Sequence, residues 1–298
     1  MKFDKWLKMN TQSLKGKRIA ITGSTGGLGR HLCSYLAGLG ASLILLDRNS
    51  ERSNEHRNIL ISKYPESEIF CVNLDLEDIA SADKVVSILI DLDIDIFIHN
   101  AGAYSIPRHK TSCSYDNVFQ INFATPYFMI RRLLPFLQAK NGRVIAVGSI
   151  AHNYSKIDTC DIDFSTRSAS SKVYGNAKRY LMFSLHRLFK DEKTVKLSIV
   201  HPGITFTNIT SHYPKLIFAI IKHPMKIIFM KPKKAALCIL KGVFESTDYL
   251  YWIGPSFFDI WGIPKLKKLK TCSDHEAKLI GEIAEKVYLN CCSAAKKE

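Results

Sequence analysis

The chain has 298 residues, 46 % hydrophobic and 23 % charged, a balance that fits a globular protein and excludes a largely disordered one. A chain of this length buries roughly three-quarters of its unfolded surface, so neither disulfides nor a structural metal is needed to hold the core. The 42 Lys+Arg against 27 Asp+Glu give a net charge of +15, which favours anionic partners without choosing between nucleotides, nucleic acid and acidic membranes.

From Lys17 onward, apolar runs of strand length alternate with amphipathic stretches of helix length. The pattern predicts strands at Arg18–Thr22, Ser42–Asp47, Glu68–Asn73, Ile94–His99, Arg143–Gly148 and Lys196–His201, each apolar almost throughout, as strands buried on both faces are. Helices are expected between them, at Leu28–Leu39, Ile79–Leu92 and Tyr115–Leu137, with Pro126 marking a kink and Pro135 an end in the third. Strands alternating with helices imply a parallel sheet with right-handed crossovers. Beyond Lys196–His201 come a broken apolar stretch, Tyr213–Lys231, a short strand at Tyr249–Ile253, a basic run with Lys265, Lys267, Lys268 and Lys270, and a helix from Asp274 to about Leu289. No repeat or linker divides the chain, so residues 1–298 read as a single domain, with a core over 17–210 and an elaboration over 211–298.

The first strand runs through Thr22-Gly23-Ser24-Thr25-Gly26-Gly27-Leu28-Gly29 straight into a helix. Glycines there let the turn use positive φ and let backbone approach a pyrophosphate, while the helix N-terminus supplies free N–H groups. A strand before and a helix after are the context this motif requires. Asp47 closes the second strand 18 residues past Gly29, where a carboxylate accepts hydrogen bonds from ribose hydroxyls and repels a 2′-phosphate. Arg48 suits that phosphate instead. The carboxylate favours NAD over NADP.

Tyr174 and Lys178 lie four residues apart on an expected helix, on one face and one turn from each other. An ammonium beside a phenol lowers the phenol pKa toward the range of a useful base. Three strand ends join them at the carboxyl edge of the sheet, where open α/β folds bind ligands: Asn100-Ala101-Gly102, Ser149, and Pro202-Gly203 followed by Thr205 and Thr207. Asn122 falls in the helix after the fourth strand. His152 and His201 read as structural.

Taken in order, Thr22–Gly29, Asp75, Asn100–Gly102, Asn122, Ser149, Tyr174/Lys178 and Pro202–Thr207 resemble the short-chain dehydrogenase/reductase family, over about residues 17–210. The interval of 25 positions from Ser149 to Tyr174, and the Ser-Ile-Ala-His stretch at 149–152, are similar to its retinol dehydrogenase-like branch. The resemblance implies a Rossmann-type doubly wound parallel sheet of about seven strands, helices on both faces and a substrate lid in the C-terminal elaboration. It implies Tyr174 as the proton donor or acceptor and Lys178 as the group that holds the nicotinamide ribose and lowers the Tyr174 pKa. It implies further that Ser149 binds the substrate oxygen and that Asn122 anchors a water in a proton relay. Asp75, with Leu76 beside it, answers to the adenine contact, Asn100 to the residue steadying the sheet beside the cofactor, and Thr207 to the carboxamide contact. Family members commonly pair through the helices that carry Asn122 and Tyr174, so a homodimer or homotetramer is expected.

The activity implied is NAD(P)-dependent hydride transfer between nicotinamide and an alcohol or ketone. Apolar blocks in Tyr213–Lys231, at the place of the family's lid, indicate an apolar substrate such as a steroid, retinoid or long-chain alcohol. The lysines in that stretch, with Phe3 and Trp6, leave peripheral membrane contact open. The rival readings are a non-catalytic NAD(P) sensor and a membrane-associated scaffold. No aromatic-basic reading motif points to nucleic acid. Scattered cysteines without CxxC or Cys/His spacing argue against a metal and for a reducing compartment. With no secretory leader in Met1–Lys15 and no ~20-residue apolar span, the expected location is the cytoplasm.

Overall fold

The structure, a computed structural model, describes residues 3–205 and 230–296. Thr207 and nearly all of the expected lid, Tyr213–Lys231, lie outside the described residues.

Eight strands form one sheet: β1 (Arg18–Thr22), β2 (Ser42–Asp47), β3 (Ile69–Asn73), β4 (Ile96–His99), β5 (Arg143–Val147), β6 (Lys196–Val200), β7 (Tyr251–Phe257) and β8 (Trp261–Lys268). Their order is β3-β2-β1-β4-β5-β6-β7-β8, and every neighbouring pair is parallel except β7 and β8. The order reverses between β1 and β4, which opens a crevice at the carboxyl edge on that line. In register, Ile19 lies opposite Leu43 on one side and Ile96 on the other. β2 is buried from Leu43 to Asp47, the continuous apolar run of a strand covered on both faces.

Helices cover both faces. On one, α2 (Gly27–Gly38), α3 (Ser50–Lys63) and α8 (Pro232–Phe244) pack with the underside of α1 (Phe3–Asn10), and Leu32, Leu36, Leu60, Leu240 and Trp6 join one apolar cluster. On the other, α4 (Ile79–Asp91), α6 (Thr125–Ala139), α7 (Ser170–Leu188) and α9 (Asp274–Ala295) enclose a second, larger cluster. Side chains cap the starts: Asn49 accepts from the Arg52 N–H, Asp78 from Ala80 and Ser81, and Ser273 from Glu276.

Several expectations change. The strand count is eight because the basic run pairs back on β7 as an antiparallel edge, its Lys267 opposite Trp252. The helix expected at Tyr115–Leu137 is three segments: a single turn, α5 (Asn117–Phe119), a π segment at Gln120–Ala124, then α6. The irregularity falls on Asn122, four residues before Pro126, where an internal proline both withholds the N–H that would bond the Asn122 carbonyl and crowds that carbonyl with its ring. Pro135 does not end the helix, which continues to Ala139. Trp6 is 2 % exposed and belongs to the core, so it is no membrane anchor.

α9 lies across α4, α6 and α7. Arg179 of α7 grips Glu276 with two hydrogen bonds of 2.8 and 2.7 Å, and Glu285 receives the Tyr127 hydroxyl at 2.7 Å and Arg131 at 3.0 Å. The helices through which a homodimer was expected are therefore covered by the chain's own helix.

Candidate active site

The glycine turn leaves β1 at the switch point. Gly23 takes φ +68°, a left-handed conformation that suits glycine, and a Cβ on Gly29 would collide with the Gly23 carbonyl oxygen. α2 begins at Gly26 with no side-chain cap and no acidic residue in its first turn, so its leading N–H groups and positive dipole end face outward. Asn100 spans to the turn, its amide donating 3.0 Å bonds to the carbonyls of Thr22 and Gly23. Its own Oδ1 is buried without a partner among the described residues. An anion cradle with an orphaned acceptor beside it fits a dinucleotide.

Asp47 is not presented to a ribose. Its carboxylate is 5 % exposed and accepts from Ser24 Oγ at 2.5 Å, Ser53 Oγ at 3.0 Å, and Thr25 N and Oγ1 at 3.2 and 3.1 Å. The strand end points the acid into the glycine turn, which it stiffens. Arg48, the next residue, projects into solvent and lies 3.4 Å from Glu77. Asp75 accepts from the Glu77 N–H, and Leu76 is buried with its carbonyl taken by Thr125.

At the other end of the crevice, Ser149 follows β5 and caps a 3₁₀ turn, Ile150–Tyr154, accepting from Ala151 N at 3.2 Å. That turn lies on α7 at Gly175, where a Cβ would strike the Ala151 carbonyl, and the close fit sets Ser149 beside Tyr174, both lining the same cavity. Lys178, one turn on, is 2 % exposed, donates 3.0 Å to the Val147 carbonyl, and sits 5.7 Å from the centre of the Tyr174 ring. A Cβ on Gly102 would be 2.8 Å from Asn122 Oδ1 and 3.6 Å from Lys178 Nζ, so amide and ammonium flank the same point. Asn122 is wholly buried; the π segment turns its amide to donate 2.8 Å bonds to the Ala103 and Val118 carbonyls. A π segment of this kind is often found at functional sites.

Burial sets the electrostatics. It pushes the Tyr174 hydroxyl up to about 12, against the opposing hydrogen bond from Ser149 and with a smaller upward push from Tyr104. It pulls the Lys178 ammonium down to about 7. The expected lowering of the phenol by Lys178 is absent: the ammonium is directed at a backbone carbonyl, and the protein's own groups leave Tyr174 protonated at neutral pH.

A cavity of about 610 Å³ is lined by Gly23, Thr25, Gly27, Leu28, Gly29, Asn100, Ala101, Gly102, Ser149, Tyr174, Lys178, Pro202, Gly203 and Thr205 among others. Ser24, Asp47, Arg48, Asp75, Leu76 and Asn122 stand outside its lining. Sequence reasoning passed over Tyr104, whose ring meets Tyr174 edge-on at 5.4 Å, and the apolar side chains Ile106, Ile150, Tyr154 and Ile204. No motif marks these; only the folded loops bring them to the cavity. His201 stacks on Trp252 at 4.8 Å, and His152 bridges Ser149 O and Thr271 Oγ1 at 2.7 Å each, both structural.

A parallel sheet of this order, with a glycine turn at its switch point, defines the Rossmann class of NAD(P)-binding proteins. The family model for short chain dehydrogenase matches residues 17–215. The chain belongs to that family and is an oxidoreductase of it. It is 27 % identical over 219 residues to the short-chain dehydrogenase TIC 32 A, chloroplastic, of Brassica napus, covering 68 % of each chain. With human retinol dehydrogenase 13 it shares 25 % over 206 residues, 67 % of this chain and 62 % of that one. In structure it is similar to an uncharacterized protein from Mycobacterium paratuberculosis, with a TM-score of 0.72, 19 % identity and coverage of 97 % and 96 %. No helix among the described residues is long and apolar enough to cross a membrane.

Proposed function

We propose that the protein is a carbonyl reductase or alcohol dehydrogenase for a lipophilic substrate, with NADP(H) as its preferred nucleotide. The observation that carries the reading is one cavity whose lining includes the glycine turn, Ser149, Tyr174 and Lys178, and the side chains of Ile106, Ile150, Tyr154 and Ile204. The bound nicotinamide supplies or accepts the hydride. Tyr174, protonated at neutral pH, donates its proton to the oxygen of a ketone or aldehyde as the carbonyl is reduced. Ser149, which lines the cavity beside Tyr174, holds the same oxygen where negative charge develops. Lys178 returns the proton, with the Asn122 amide beside it marking the inward path. In the oxidative direction the phenol needs a further positive charge nearby before it serves as a base.

The nucleotide preference follows from Asp47. With its carboxylate occupied by Ser24, Thr25 and Ser53, the reason for favouring NAD falls away, and Arg48, 69 % exposed and 3.4 Å from Glu77, is the cation beside the strand end that can turn to meet a 2′-phosphate. Fluorescence titration tests this: NADPH should bind more tightly than NADH, and Arg48→Ala should narrow the gap by about tenfold, the worth of one charge-assisted contact. Equal affinities in the wild type would defeat it.

The reaction is tested with Tyr174→Phe. Over a panel of hydroxysteroids, retinol and long-chain alcohols and their carbonyl forms, kcat should fall by about 10²–10⁴-fold while nucleotide binding persists. Turnover equal to the wild type would remove Tyr174 from the chemistry and favour the sensor reading.

A further inference from the structure

Between Ser149 and Tyr174 the chain makes a long excursion, and residues 156–169 of it contribute nothing to the cavity lining. The excursion is nevertheless tied closely to the site. Phe164, near its centre, is 5 % exposed and clusters with Val118 and Val173; Tyr174 and the cavity-lining Ile106 pack against that cluster. Asn176, two residues past Tyr174, donates a 2.8 Å bond to the Ile162 carbonyl. The loop thus joins the packing of the reacting phenol while staying out of the cavity.

Phe164 is held there against its own local preference. Its φ of +54° lies in the left-handed region, which a bulky residue keeps only where the surroundings fix it. Arg108 does the fixing. Its Nε donates to Asp116 Oδ2 at 2.7 Å, its Nη2 to Phe164 O at 2.8 Å, and its Nη1 to Arg167 O. Asp116 is 3 % exposed and caps α5, accepting from Val118 N at 3.0 Å; its own N–H donates to Asp163 Oδ2 at 2.8 Å. One guanidinium therefore spans the loop that leads into α7, with Tyr174 and Lys178, and the start of the segment that carries Asn122. A rigid fork of donors meets one carboxylate and two carbonyls, a set that a lysine ammonium does not reproduce. Two and four residues before Arg108, Ile106 lines the cavity and Tyr104 sets its ring edge-on to Tyr174 at 5.4 Å.

We propose that Arg108 is a positioning residue for the reaction: by locking Phe164 and Asp116 together it fixes the Tyr174 ring, and through α5 the Asn122 amide, relative to the substrate oxygen. The inference rests on the reading of Tyr174 as the proton donor. Arg108 is not among the residues that line the cavity, so it acts only through its neighbours. A proton donor set slightly out of place costs rate and not binding, because the misalignment is felt in the transition state. A loop staple with no part in the reaction would change stability and leave kcat alone.

Arg108→Lys tests the proposal in steady-state kinetics with NADPH and the carbonyl compounds of the panel. Its kcat should fall by about ten- to a hundredfold, with KM and NADPH affinity unchanged. Phe164→Leu, which keeps an apolar side chain in the cluster, should reproduce the loss with Arg108 in place, and it decides the matter should Arg108→Lys fail to fold. The double variant should fall no further than the worse single one, since both act through one contact. Hydrogen exchange gives a readout independent of turnover: in Arg108→Lys the amides of 161–176 and of 116–122 should exchange faster together, while those of α2 keep their wild-type rates. Wild-type turnover in Tyr174→Phe would defeat the proposed function, whatever the exchange shows. With Tyr174→Phe inactive, any of four results would overturn the inference alone: unchanged kcat in Arg108→Lys, a loss carried by KM, full additivity in the double variant, or faster exchange confined to 161–168.

Discussion

Lys178 is a cation with almost no water around it, and its proton is held at a cost that burial imposes. Its folded pKa of about 7 lies below the unfolded 10.5, so between those values the unfolded chain binds more protons than the native one. Stability therefore rises with pH through that window, by as much as about 1.4 kcal/mol per pH unit. Lys178→Met removes this contribution. Urea unfolding of both proteins at several pH values between 7 and 10 should show the wild type gaining on the variant; parallel curves would contradict the burial argument. Tyr174, Lys178 and Ser149 were legible in the sequence because helix period and strand ends fix their neighbourhood. Asp47 was not: position at a strand end does not say which way a side chain turns, and three hydroxyl- or amide-bearing neighbours, Ser24, Thr25 and Ser53, decide it.

At the level of elements, the strands that read best were those covered on both faces. Arg18–Thr22 and Ser42–Asp47 match residue for residue, since an unbroken apolar run bounded by charge has few other solutions. The edge strand β8 escaped notice because its outward face is lysine-rich, and polar spacing on an edge looks like a loop. The π segment at Gln120–Ala124 was legible only as a kink near Pro126, since a proline announces a broken ladder but not the form the break takes. α9 depends on a contact that sequence spacing cannot show, the Arg179–Glu276 pair spanning α7 and α9. Arg179 is 3 % exposed and also donates to Thr271 O and His152 O. Arg179→Met strips these acceptors of their partner and should destabilise the protein by about 3 kcal/mol in urea unfolding. A loss below about 1 kcal/mol would mean that the pair behaves like a surface salt bridge.

Across the whole molecule, the sheet divides two apolar layers, and α9 closes one of them by lying over α4, α6 and α7. That placement speaks to assembly. A four-helix pairing through α6 and α7 requires the flank that Glu276, Glu285 and Tyr288 already occupy, Tyr288 with its ring 6.0 Å from Phe128 and under the Arg131 guanidinium at 4.9 Å. Sedimentation velocity should give a monomer over the micromolar range. A chain ending at residue 272 should self-associate or aggregate through the uncovered layer. A stable dimer of the intact chain, insensitive to that truncation, would place the assembly surface elsewhere.

The same helix governs when the protein finishes folding. Ala277, Ile280, Ala284, Val287 and Cys291 complete a layer whose earliest member, Ala20, was synthesised more than two hundred and fifty residues before them. Until those side chains clear the ribosome, the nascent polypeptide carries a bare oily flank for some seconds at ordinary elongation rates of about 5–20 residues per second. Chaperone protection during translation, and vulnerability of prematurely terminated chains to proteolysis, follow from where α9 sits.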